Sequence, residues 1–133
     1  MSSNRRILSH RDLHVWQRSI QLALCAYHYS SAFPRSETYG LTSQLRRASI
    51  SIAANIAEGN GRKTARDYAH FLAMAIGSTR EVDTLLVMAE ELEYGNRQQL
   101  QECQKLLDEV GRMLNVVHAT IDARAQLETR RSR

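Results

Sequence analysis

Two consecutive stretches of this chain keep an unbroken 3-4 spacing of core-type residues. The first runs through Tyr68, Phe71, Ala75, Ser78, Val82, Leu85, Ala89 and Leu92. The second runs through Leu100, Cys103, Leu107, Val110, Leu114, Val117 and Ile121. A mean repeat of 3.5 residues is that of helices packed in bundles. A helix with such a stripe cannot leave it in water, so the rest of the chain has to cover it. Strand alternation is absent. With one proline, Pro34, among 133 residues, long helices meet few breakers. A chain of this length is expected to form one domain with a core of its own.

Two further helices are expected upstream. Ser9 with Asp12 three residues on forms a capping-box pattern, with Asp12 as the competing cap. Leu13, Trp16, Ile20, Ala23 and Tyr27 then share one face, and Phe33-Pro34 ends the helix. Ser36 and Glu37 open the second helix. Its main stripe is Leu41, Leu45, Ala48, Ile52 and Ile56, within roughly an 80° arc. Ile50, Ala53, Ala54 and Ala57 lie about 150° away by the same geometry. A polar line of Gln44, Arg47, Ser51, Asn55 and Glu58 runs between the two. The alanine side reads either as simple helix propensity or as an oligomer interface; Ile50 in its midst favours the interface.

Gly59-Asn60-Gly61 is expected to end this helix in a left-handed cap. Thr64 with Asp67 caps the third helix, and Gly95-Asn96 separates the third from the fourth. Ser78 is expected to bond the carbonyl four residues back. Arg124 breaks the last stripe. The expected division is a flexible segment over 1–8, a four-helix bundle over 9–124 and a loose basic tail over 125–133. Short connectors predict an all-α, antiparallel, up-down-up-down four-helix bundle.

Charge is uneven. The net +4 comes from 18 Lys+Arg against 14 Asp+Glu, and all the basic residues except Lys63 and Lys105 are arginine. Residues 33–63 hold Arg35, Arg46, Arg47, Arg62 and Lys63 against Glu37 and Glu58. Arginine suits phosphates and carboxylates, which favours anionic partners. No apolar run reaches the ~20 residues of a membrane span, and no secretory signal pattern follows the basic start. A cytoplasmic setting is expected. Cys25 and Cys103 form no CxxC pair and read as small buried apolar residues.

Four segments together resemble one family. They are DLHVW (Asp12–Trp16), FPRSETYGLTSQLRRAS (Phe33–Ser49), SIAANIAEGNGR (Ser51–Arg62) and YAHFLAMAIGST (Tyr68–Thr79). In this order and spacing they resemble the four-helix-bundle family first noticed in intervening sequences of bacterial 23S ribosomal RNA genes. The resemblance covers about residues 10 to 120. It implies a left-handed antiparallel bundle assembled as a ring of identical subunits, five-fold in the family, and it implies no catalytic function. A distant relative similar in fold, the accessory protein of diversity-generating retroelements, binds nucleic acid and a reverse transcriptase.

No catalytic constellation accompanies these motifs. GNGRKT (Gly59–Thr64) follows a helix rather than a strand and lacks P-loop spacing. There is no GxSxG and no HExxH, and His10 and His14, four apart, have no third ligand near them. No enzyme, metal or cofactor is expected. The start of the third helix is an anion site in prospect, with backbone N–H groups beside Arg62, Lys63 and Arg66. Arg46 and Arg47 are further candidates, about 20 Å of helix away. Competing readings pair Arg47 with carboxylates near Glu58 and set Arg62 on carbonyls of the second helix. The leading expectation is a non-enzymatic homo-oligomer that binds RNA or DNA through phosphate contacts. The alternative is a scaffold or adaptor for another protein with no nucleic-acid role.

Overall fold

A computed structural model describes residues 9–132 of the chain. Residues 1–8, expected to be flexible, lie outside the described residues. Four helices carry the fold: α1 (His14–Ser30), α2 (Leu41–Asn60), α3 (Ala65–Glu91) and α4 (Arg97–Arg131). Single 3-10 turns at His10–Asp12 and Arg35–Glu37 precede α1 and α2. There is no strand among the described residues. Each helix lies against the next and α1 closes against α4, so the four surround one core as a four-helix bundle. No helix among the described residues is long and apolar enough to cross a membrane.

The cap at Thr64 forms as expected, and Asn96 caps α4. Thr64 Oγ1 accepts from Asp67 N at 3.1 Å and Asn96 Oδ1 from Gln99 N at 2.9 Å. The Ser9–Asp12 box also forms, but it caps the 3-10 turn rather than α1 itself. α2 starts at Leu41, five residues beyond Ser36, because the chain from Arg35 first makes a turn. Glu37 still serves that helix: its Oε1 accepts from Leu41 N at 3.1 Å. Its Oε2 accepts from Tyr94 Oη at 3.0 Å, which ties the α3–α4 connection to the start of α2.

The stripes of α2 and α4 are buried almost as read from sequence. Leu41, Leu45, Ala48, Ile52 and Ile56 are all interior, as are Leu100, Cys103, Leu107, Val110, Leu114 and Ile121, with Val117 half-buried. The other two stripes are rotated. On α1 the buried line is Val15, Ser19, Leu22, Ala26 and Tyr29, while Leu13, Trp16, Ile20 and Ala23 are half-buried and Tyr27 is exposed. On α3 it is Ala65, Ala69, Leu72, Ala75, Thr79, Val82, Leu86 and Ala89; Leu85 is also buried, Tyr68, Phe71 and Ser78 flank the line, and Leu92 is exposed. Hydroxyls explain the rotation. Ser19 Oγ donates to Val15 O at 2.7 Å and Thr79 Oγ1 to Ile76 O at 2.6 Å, so each enters the core with its polar atom satisfied. Ser78, expected to bond back along its own helix, instead meets Ser51 Oγ of α2 at 2.9 Å.

Two chain ends of helices also differ from expectation. Gly59-Asn60-Gly61 adopts no left-handed cap; Gly61 has φ −83°. A Cβ on Gly59 would lie 2.8 Å from Phe71 Cβ, so this glycine permits the close approach of α2 and α3. Residues 125–131, expected as part of a loose tail, are helical. α4 continues to Arg131, with Ala125 buried one turn after Ile121 and Glu128 reaching α3. Arg124 is exposed beside the stripe rather than in it.

Candidate nucleic-acid interface

The basic residues singled out from the sequence separate into two groups at a distance along α2. Arg46 is absorbed by the fold. Its Nε donates to Ser30 Oγ at 2.9 Å and its Nη2 to Tyr27 O at 3.3 Å, with the guanidinium 4.4 Å from the Tyr27 ring centroid. A cation on the last carbonyls of α1 is favoured there by the helix dipole, so Arg46 is a clasp between α1 and α2. Arg47, the next residue, is exposed and makes no ion pair among the described residues.

At the far end of α2, Arg62 pairs with Glu58 at 3.4 Å and lies over the Phe71 ring at 4.6 Å. The carbonyl cap there is made by its backbone N–H to Gly59 O, not by its side chain. Lys63 and Arg66 are exposed. The expected anion site at the start of α3 is already filled from within. Ala65 N donates to Glu128 Oε1 at 3.1 Å and Asp67 N to Thr64 Oγ1. A carboxylate of the chain itself occupies the place where a phosphate was expected.

The same contact brings in residues that the sequence reading left aside. Because Glu128 docks on Ala65, Arg130 and Arg131 in the last turn of α4 stand at the same end of the bundle as Arg62, Lys63 and Arg66. Five cations share that end with Glu58, Asp67 and Glu128, and the first and last of these carboxylates are engaged by Arg62 and by Ala65 N. A seam residue at Ala125 was the available signal that α4 would continue.

The alanine side of α2 divides. Ile50 is 45% exposed and Ala54 is exposed, but Ala53 is 6% exposed and Ala57 half-buried. Ala53 and the buried Ser49 lie toward the Arg46 side of the helix, where α2 meets α1. Ser49 enters by donating to Leu45 O at 2.8 Å. The buried sector of α2 is therefore wider than its aliphatic stripe. Ala53 belongs to the bundle and not to an outer surface.

The hydroxyls and thiols with displaced protonation are packing contacts, while exposed Arg112 is raised by its hydrogen bond to Asp108. Burial pushes the Tyr29 hydroxyl up to about 12; it donates to Tyr94 O at 2.9 Å. The hydrogen bond to Glu37 raises Tyr94, and burial raises Cys25 and Cys103. Among the described residues no three His, Cys, Asp or Glu side chains cluster as a metal would require.

A crystal structure of a protein of unknown function from the S23 ribosomal protein family of Bacteroides thetaiotaomicron is similar in fold. Its TM-score is 0.72 at 21% identity, over 78% of this chain and 97% of that one. No curated protein matches this sequence. The 23S rRNA-intervening sequence protein family matches residues 11–116, which include α1, α2, α3 and the first part of α4. The chain belongs to that family.

Proposed function

We propose that this chain is a non-enzymatic assembly protein whose basic end contacts the phosphate backbone of RNA or DNA. The observation that carries the reading is the docking of Glu128 on Ala65, which brings the last turn of α4, with Arg130 and Arg131, to the end of the bundle that holds Lys63 and Arg66. Neighbouring copies in a ring would repeat this end and enlarge it. The short connections support an antiparallel, left-handed bundle, and exposed Ile50 and Ala54 supply an outer surface for a second copy. Five-fold symmetry is the family expectation for that ring. Few aromatic residues accompany the cations, so the contact reads backbone charge rather than base identity.

Binding of RNA and DNA measured between about 50 and 200 mM salt tests the reading. Affinity is expected to fall steeply with salt. Replacing Lys63, Arg66, Arg130 and Arg131 together by alanine lowers the slope by roughly one per phosphate contact removed. Arg46→Ala leaves the slope unchanged and lowers thermal stability instead. No binding at low salt overturns the nucleic-acid reading. The scaffold reading then stands, supported by the apolar groove of Leu13, Val15, Met113, Val116 and Val117, in which Val116 is 68% exposed.

A further inference from the structure

Cys25 and Cys103 are 78 residues apart in sequence and carry no motif, yet the bundle brings their sulfur atoms to 2.8 Å. Each sits within a helix, α1 and α4 respectively, so neither is carried by a loop that could swing it away. Their surroundings differ. Cys103 is fully buried, whereas Cys25 is half-buried in a groove along α1 and α4 lined by Arg18, Leu24, Gln99, Glu102 and Lys105. Cys25 Sγ also lies 3.8 Å from Gln99 O. One thiol thus faces an entrance, and the other waits directly behind it.

We propose that Cys25 and Cys103 are a disulfide-forming pair that takes its oxidising equivalents from a low-molecular-weight disulfide and, once joined, staples α1 to α4. The Cys25 thiolate attacks one sulfur of the small disulfide, and the other sulfur departs as a thiolate. The Cys103 thiolate then attacks Cys25 Sγ of the mixed disulfide and expels the second small thiolate. Two protein thiols lose two protons and two electrons, and one small disulfide becomes two thiols. Cys25 acts first because the groove reaches it, and Cys103 resolves because its only accessible partner is Cys25. Burial raises both thiols above their ordinary range, so little thiolate is present at neutral pH and exchange with a small disulfide is slow.

The pair is also well placed to matter mechanically. α1 and α4 are joined through no direct connection, and a bond between them closes a long loop in the unfolded chain, which is where a cross-link restricts most. Oxidation is therefore expected to stabilise the bundle without a new fold.

The full chain, reduced and then treated with excess oxidised glutathione at mildly alkaline pH, tests this. The expected result is loss of both titratable thiols, a mass lower by two hydrogens with no glutathione retained, and a joined Cys25–Cys103 peptide on digestion. The midpoint of thermal unfolding rises by roughly 10 °C. Cys103→Ser retains glutathione on Cys25, and Cys25→Ser leaves Cys103 unreactive in the folded protein. Two persistent thiols, glutathione held on wild-type Cys25, cross-linked chains, or a disulfide that leaves the midpoint unmoved would each overturn the proposal. The wild-type thiol count and mass decide the chemistry even if a serine variant fails to fold.

Discussion

Glycine does two opposite things in this chain. Gly95 has φ +75°, and a Cβ there would stand 2.6 Å from Tyr29 Cε1. It lets the α3–α4 connection press on the aromatic group of Tyr29, Phe33 and Tyr94, whose rings meet at 5.0 and 5.5 Å. Gly77 and Gly111 lie inside α3 and α4, and a Cβ on either would meet nothing within 4 Å. Gly95→Ala is expected to cost about 1–3 kcal/mol. Gly77→Ala and Gly111→Ala are each expected to add about 0.5–1 kcal/mol to the stability of the isolated chain. Chemical denaturation at a concentration where the protein is monomeric checks both signs. The break at Gly95-Asn96 was legible in the sequence, but the aromatic ring that crowds a side chain there was not.

At the scale of elements, the decisive case is the end of α4. A stripe that appears to stop at Arg124 in fact shifts by one position to Ala125, as a 3.6-residue helix drifts against a 3.5-residue repeat. The extra turns are held at the far end by Glu128, whose carboxylate caps Ala65 of α3. Glu128→Ala is expected to cost about 1 kcal/mol, in the range of a lost helix cap. Its signature is earlier hydrogen exchange at both the start of α3 and the last turns of α4, while the centre of the bundle stays protected. Exchange that quickens on α4 alone would show that the cap does not couple the two helices. The segments that mark the family behave similarly. Within Phe33–Ser49, Phe33, Glu37 and Arg46 are spent on joining α1, α2 and the α3–α4 connection, and Ser49 bonds back within α2. Those conspicuous residues serve the fold.

At the scale of the whole molecule, α2 carries both an inner and an outer surface, and two adjacent alanines separate them. Ala54→Glu places a carboxylate on the exposed side beside Ile50. Ala53→Glu forces one into the packed side, at a cost of several kcal/mol if it stays ionised. On the proposed assembly, light scattering with circular dichroism is expected to show Ala54→Glu as a helical, dissociated chain and Ala53→Glu as a largely unfolded one. An Ala54→Glu protein that keeps the wild-type assembly would exclude this side of α2 as the contact between copies.

Four amphipathic helices with breaks near 34, 61 and 95 were legible along the chain, because periodicity and caps are local properties. The sequence also carried the family, through residues that turn out to hold the connections. The rotation of α1 and α3 came from packing between helices. A serine or threonine can replace an apolar residue in a seam once its hydroxyl bonds the preceding turn, and a hydropathy stripe does not register that bond. The pairing of Cys25 with Cys103, the use of Arg46 within the bundle and the docking of Glu128 on Ala65 are contacts between helices distant in sequence. Spacing along one helix holds no information about which residue of another will lie against it.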